Sequence, residues 1–400
     1  MQIETLKIHN FRVFQDAQVK NIPPMAVFMG QNGAGKTTLF DVFGFLHDCL
    51  DSNVRSALAK RGGFSEVISR EQTGGIQFII QFRPSPSEPI ITYELTIDLN
   101  EKKLPVVQKE IMRFRRGQSG APWKILDFSN GVGEAVEGQL SSYEEIQEAR
   151  RTAQRLASPD ILAIKGLGQF DNFPAVAALR GLIEDWYVSD FHIESARVRQ
   201  EANYSESLSK TGDNLAQVAK YLYDNHRETF QAILTRMQER IPGVSNVEAK
   251  VTEDGYVILR FQDSQFVNPF SSRFVSDGTM KMFTYLVLLS EPNPHALLCV
   301  EEPENQLYPE LLWNLAEEFR KYSHVGGQVF ISTHSPDFLN AVRLEELYCL
   351  VKSHGYTKII RAMDIPLVRS LSQEGDLLGY LWMQGILFSE AAKAGGSSEA

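Results

Sequence analysis

Met25-Ala26-Val27-Phe28-Met29-Gly30-Gln31-Asn32-Gly33-Ala34-Gly35-Lys36-Thr37-Thr38-Leu39 decides how this chain is read. Residues 25–29 are a continuous apolar run, as expected of a buried parallel strand. Gly30, Gly35, Lys36 and Thr37 then fit the phosphate-loop pattern G-x-x-x-x-G-K-T, and a helix-like segment follows to Leu50. A strand before and a helix after are the context this motif needs. A chance glycine-rich turn would lack both. Glycines let backbone N–H groups wrap phosphates, and the helix N-terminus adds its positive end. Within the motif Gly30, Asn32, Gly33, Ala34, Gly35, Lys36, Thr37 and Thr38 are the nucleotide-binding candidates. Lys36 would reach the β- and γ-phosphates, and Thr37 would ligate Mg²⁺.

Three further segments carry chemistry. Leu297-Leu298-Cys299-Val300-Glu301-Glu302-Pro303-Glu304 is an apolar strand that ends in acids, as a Walker B segment requires. Glu301 would orient Mg²⁺ and its waters, and Glu302 would act as general base toward the attacking water. Adjacent strand residues face opposite sides, so the two acids cannot share one task. Gln328 to Thr333 is a second buried strand, followed by His334, Ser335 and Pro336. At the carboxyl edge of a parallel sheet, where ligands bind, His334 is a candidate sensor of the γ-phosphate. Val275-Ser276-Asp277-Gly278-Thr279 reads by itself as a helix start capped by Ser276 or Asp277.

Elsewhere residues 2–8 alternate like a strand, and 76–128 hold alternating segments broken by prolines and glycines, an antiparallel, hairpin-rich region. Residues 141–157 and 213–240 are expected to be helical, and 246–268 to return to strand. Strands at 296–301, 327–332 and 345–351 alternate with helices at 309–322 and from Pro336, the pattern of a doubly wound parallel sheet.

Composition narrows the class. The 400 residues include 40 Lys plus Arg and 50 Asp plus Glu, a net charge of −10. That argues against a protein coated by nucleic acid over its whole surface. The three cysteines, Cys49, Cys299 and Cys349, are too few and scattered for a disulfide framework or zinc site. No apolar run approaches the roughly 20 residues of a membrane helix, and the N-terminus has no signal-peptide core. The expected location is the cytosol, with no membrane partner.

The order phosphate loop, Ser-Asp-Gly-Thr, Glu-Glu-Pro-Glu, Thr-His-Ser-Pro is that of an ABC-type ATPase head. In this the chain resembles the SMC/RecF-like ATPases. It is most similar to the short bacterial predicted ATPases called AAA family ATPases, an OLD-like head without the Toprim domain. The segments Ile8–Phe14, Leu208–Leu215 and Leu378–Gly385 resemble segments of the same proteins. The resemblance implies an α/β fold: an ABC-type P-loop NTPase head with a mixed β-sheet core, an antiparallel N-terminal β region and a lateral α+β insertion. It also implies ATP and Mg²⁺ as cofactors. Ser276, Gly278 and Thr279 would be the signature motif that binds the γ-phosphate held by a partner subunit, so two heads would dimerise around ATP. Glu304 to Leu307 would be the D-loop, His334 the switch histidine, and Arg12 would approach the nucleotide. Asp277 replaces the second glycine of transporter signatures, and Glu301 stands where most such heads carry Asp. Gln72, Gln77 and Gln81 are alternatives for the Q-loop.

The implied division is an N-terminal lobe at 1–60, a β-rich part with the insertion at 61–270, a C-terminal lobe at 271–390 and a disordered tail at 391–400. Lys36 and Ser276 stand about 240 residues apart, too far for a transporter head, with no heptad run between them. About sixty residues follow His334, too few for a Toprim nuclease. The activity the resemblance implies is ATP hydrolysis driving or gating a DNA- or protein-bound complex in antiviral defence or DNA repair. The alternative is a nucleotide-gated clamp controlling a separately encoded nuclease or toxin. Any DNA contact would fall to Arg113, Arg115 and Arg116 on a hairpin or to Arg150, Arg151 and Arg155 on a helix.

Overall fold

The computed structural model describes residues 2–84, 89–114, 122–138 and 150–396. The chain divides into two compact units. The first comprises Met1–Trp186, Arg343–Asp376 and Leu381–Ala400, and the second Tyr187–Val342 and Leu377–Tyr380.

In the first unit eight strands form one antiparallel sheet. Their spatial order is Phe14–Lys20, Gln2–Phe11, Ile76–Arg83, Ile91–Leu99, Pro105–Phe114, Trp123–Ser129, Val132–Val136 and Arg151–Arg155. Strict alternation in Ile76–Arg83 buries Ile76, Phe78, Ile80 and Phe82 on one face, as a half-covered antiparallel sheet demands. Strand Met25–Gly30 is buried at all six residues. It pairs in parallel with Leu347–Ser353, which pairs antiparallel with Tyr356–Arg361.

Helix Lys36–Asp51 follows, burying Leu39, Phe40, Phe43, Leu46 and Leu50. Phe11, Phe45 and Phe78 form a triangle with ring centroids 5.4–5.8 Å apart, which locks this helix to the antiparallel sheet. Glu110 is fully buried. Its carboxylate accepts hydrogen bonds from Ala163 N (2.5 Å), Ile164 N (3.0 Å) and the Tyr93 hydroxyl (3.1 Å). Burial pushes its pKa up to about 7, against the opposing pull of these donors.

In the second unit strands Leu297–Glu301 and Gln328–Thr333 pair in parallel, Glu301 opposite Ser332. Helix Pro309–Val325 connects them, because parallel neighbours need a crossover. Helix Asp277–Leu288 is buried from Thr279 to its end. An antiparallel sheet of Val244–Val251 and Tyr256–Asp263 carries short strands Gln200–Glu201 and Phe270–Ser271 along its outer edge.

Three expectations change. Of the helix expected over 141–157, residues 141–149 lie outside the described residues, and Arg151–Arg155 is a strand paired with Val132–Val136. Its outward charges suit a sheet edge, which charged side chains protect from further pairing. The helix expected over 213–240 is two, Leu215–Asn225 and Arg227–Arg240. His226 leaves helical geometry at φ −130°, ψ 58°, with its ring bonded to the Tyr221 hydroxyl at 2.9 Å. Residues 391–396, expected to be disordered, complete helix Ile386–Gly396, which buries Leu387 and Ala391. Residues 397–400 lie outside the described residues.

Candidate functional site

The phosphate loop lies in the first unit. Gly33 and Gly35 have φ of 77° and 98°. A Cβ on Gly35 would stand 2.8 Å from Val13 Cγ2, so backbone conformation and packing both require glycine there. Gly35 is the N-cap of helix Lys36–Asp51 and contributes no side-chain cap, which leaves the helix's positive end toward the loop. Asn32, Gly33 and Thr37 are exposed, Thr38 is half-buried, and Ala34 and Lys36 are buried. The Lys36 ammonium donates to Gly30 O at 2.8 Å, folded back inside its own loop. Thr357 braces the loop from the neighbouring hairpin, its hydroxyl donating to Ala34 O at 2.9 Å. This glycine-built cradle with a lysine at the helix start fits a nucleotide's phosphates.

Arg12 is also in this unit, in the turn between the first two strands at φ 49°. Its guanidinium pairs with Asp41 at 3.0 Å, and Asp41 is shared with Arg61. Of the three glutamines, Gln77 bonds Glu94 and Gln81 bonds Thr92 within the sheet. Gln72 donates to the Tyr356 hydroxyl at 3.0 Å, beside the Thr357 that braces the loop.

The acidic turn lies in the second unit. Glu301 ends its strand half-buried. Glu302 stands at φ 41°, a left-handed conformation that costs a non-glycine residue about 1 kcal/mol or more. Its N–H donates to Ser332 O (2.9 Å), its Oε2 accepts from Asn305 Nδ2 (3.1 Å) and its Oε1 lies 3.0 Å from His334 Nδ1. Ser276 caps helix Asp277–Leu288, its hydroxyl accepting from Thr279 N at 3.2 Å. A Cβ on Gly278 would stand 3.1 Å from Gln306 O, so glycine allows the helix start and the turn after Glu304 to touch. Between them a cavity of about 700 Å³ is lined by Ser276–Thr279 and Gln306–Leu311.

Two residues of this network escaped the sequence reading. Glu304, assigned only to the D-loop, is buried. It accepts from the Thr333 hydroxyl at 2.7 Å and His334 N at 3.2 Å, fixing the loop that carries the histidine. Lys281, one turn into the helix after Ser276, is also buried. Burial lowers its pKa, while Glu304, Asp190 and Glu302 act in the opposite sense. A lysine among apolar helical residues, five positions past the Ser276 cap, was the available signal.

Of the arginines proposed for DNA contact, Arg151 and Arg155 lie on the same exposed face of one strand. Arg113 pairs with Glu94 at 3.1 Å and Arg151 with Glu134 at 2.7 Å. Arg150 and Arg155 are exposed, and Arg115 and Arg116 lie outside the described residues. Among the described residues no helix is long and apolar enough to cross a membrane.

The fold is that of an SMC/RecF-like ABC-type ATPase head. Its likeness to a solved SMC head bound to the C-winged helix domain of ScpA has a TM-score of 0.52 at 13% identity, covering 90% of this chain and 98% of that one. An SMC head domain from Thermotoga maritima scores 0.47 at 11% identity, covering 90% and 99%. One derived from Pyrococcus furiosus, with an extended coiled coil and bound to the C-terminal domain of ScpA, scores 0.48 at 11%, covering 93% and 98%. The chain belongs to the family described as "AAA domain, putative AbiEii toxin, Type IV TA system", whose pattern matches residues 25–340. No curated protein matches it.

Proposed function

We propose that this chain binds ATP with Mg²⁺ and hydrolyses it, two copies closing around two ATP molecules to drive or gate a DNA- or protein-bound complex in antiviral defence or DNA repair. The observation that carries the reading is the Glu302–His334 pair, held in a strained turn at the end of a buried strand. In this reading Lys36 neutralises the β- and γ-phosphates, with Gly30 and Asn32 to Thr38 around them. Thr37 and Glu301 hold Mg²⁺, which would neutralise charge building on the phosphates. Glu302 takes a proton from the attacking water, while His334 fixes its carboxylate and meets the γ-phosphate. Arg12 would first have to leave Asp41 to reach nucleotide.

The partner head would supply Ser276, Gly278 and Thr279. Two large aromatics flank this surface, Phe274 at 81% exposure and Tyr308 at 67%, as a face awaiting a partner would show. Solution mass with and without ATP tests closure. The Glu302→Gln variant with ATP is expected to run as a dimer, and a strictly monomeric variant contradicts the reading.

The alternative, a nucleotide-gated clamp with negligible turnover controlling a separately encoded nuclease or toxin, draws on one observation. The family description names a toxin–antitoxin system. A wild-type dimer that persists in ATP without releasing phosphate would favour it.

A further inference from the structure

The antiparallel sheet of the second unit holds a cavity outside the nucleotide motifs. Strand Tyr256–Asp263 pairs along its outer edge with Gln200–Glu201 at Val257 and Tyr256, then with Phe270–Ser271 at Arg260 and Phe261. Between these partners Ile258 and Leu259 face no strand on that edge among the described residues, and a cavity of about 420 Å³ opens there. Its lining includes Arg197, Arg199, Arg260 and Arg273 and contains no carboxylate. In a chain of net charge −10 that local excess is unusual.

Three of these, Arg199, Arg260 and Arg273, differ from other arginines in the same unit. Arg236 and Arg240 are neutralised by Glu318, and Arg320 by Glu317. Arg199, Arg260 and Arg273 are exposed and make no ion pair or side-chain hydrogen bond among the described residues. Arg197 forms the inner wall. It pairs with Asp277 at 2.6 Å and Glu194 at 3.6 Å and donates to Val275 O at 2.6 Å, while its buried Nε has no hydrogen-bond partner. The lining also includes the buried Ala196, Ala216, Val257 and Leu259, the last two on the face of their strand opposite to Arg260.

We propose that this cavity binds a small organic ligand carrying two or more phosphate charges. Guanidinium forks suit phosphate oxygens and stay charged at every physiological pH, and although Asp254 acts on Arg199 and Glu248 stands opposite Arg260 on the neighbouring strand, neither acid closes an ion pair with them. The apolar part of the lining accepts the organic part, and the volume falls in the range of small-ligand sites. A concave site in an acidic protein favours a compact anion over an extended nucleic acid, whose backbone would meet the surrounding negative field. Arg197 joins the site to the start of helix Asp277–Leu288, so an occupant competes with Asp277 for its guanidinium. The binding itself does not depend on ATP hydrolysis.

Inorganic pyrophosphate is the probe, titrated calorimetrically into full-length protein carrying Lys36→Ala so that the phosphate loop is removed from the measurement. Binding is expected to persist in that protein and to weaken by about tenfold or more when Arg260→Gln and Arg273→Gln are added, each single change falling between. Both side chains are exposed, and an unchanged melting temperature verifies folding. Absence of pyrophosphate binding in the Lys36→Ala protein overturns the proposal, as does unchanged affinity in the triple variant. Dependence on Arg260 and Arg273 for a single-stranded oligonucleotide but not for pyrophosphate also overturns it, in favour of a nucleic-acid surface. Hydrolysis by the otherwise wild-type protein, read in parallel, separates failure of this site from failure of the ATPase reading.

Discussion

The phosphate loop and the acidic turn both place residues in left-handed backbone, and they do so by different means. In the loop, glycines at 33 and 35 occupy the conformation at no steric cost, and one close contact with Val13 fixes the second. In the turn, Glu302 and Gln306 occupy it with full side chains, at φ 41° and 66°. There the surrounding hydrogen bonds hold the shape: Glu302 to Ser332, Asn305 and His334, and Glu304 to Thr333 and His334. A backbone-built site announces itself by glycine spacing. A side-chain-built site is spread over segments thirty residues apart and depends on partners that cannot be read locally.

The largest expected effect separates charge from shape. Lys36→Ala should lower ATP turnover roughly a thousandfold with little loss of folding, because it removes the loop's phosphate-directed charge and leaves its glycines. Steady-state phosphate release checks this, and near-normal turnover would break the comparison. Glu304→Ala strips the buried partner from Thr333, His334 N–H and the neighbourhood of Lys281. It should cost about 3 kcal/mol of stability in chemical denaturation, as removal of a buried ionic partner does. Thr333→Val, losing a single hydrogen bond, should cost about 1 kcal/mol. Gly35→Ala should cost about 2 kcal/mol from left-handed strain and the Val13 contact. Restoring stability by Val13→Ala in the same chain would sharpen the assignment of that cost.

The smallest contrast concerns pH. Glu110 titrates near 7 when folded against an ordinary value of 4.5. A raised folded pKa means the folded state holds the proton more tightly, so this contribution to stability is full below about 4.5 and is lost as pH rises through about 7. Denaturation midpoints between pH 4.5 and 8 should fall with rising pH, and Glu110→Gln should flatten that slope.

The sequence shows the phosphate loop, its strand and helix and the parallel pair 297–301 and 328–333 directly, because each is encoded within a dozen contiguous residues. The antiparallel sheet is legible from alternation in Ile76–Arg83. Arg151–Arg155 is not, since an edge strand with charged outward positions lacks the apolar alternation that marks a half-buried one. The break at His226 is hidden because both flanking helices keep helical periodicity. Glu304 and Lys281 are invisible for a different reason. Acid and lysine side chains default to a solvated reading, and only tertiary packing shows them buried.

The direct test of the central claim is ATP turnover by Glu302→Gln measured beside its affinity for ATP. Replacing the carboxylate with an amide keeps the size of the side chain and removes the base. Turnover is predicted to fall by about a hundredfold or more with ATP affinity retained. Turnover equal to that of the wild-type protein would contradict the assignment of Glu302 as the group that activates water.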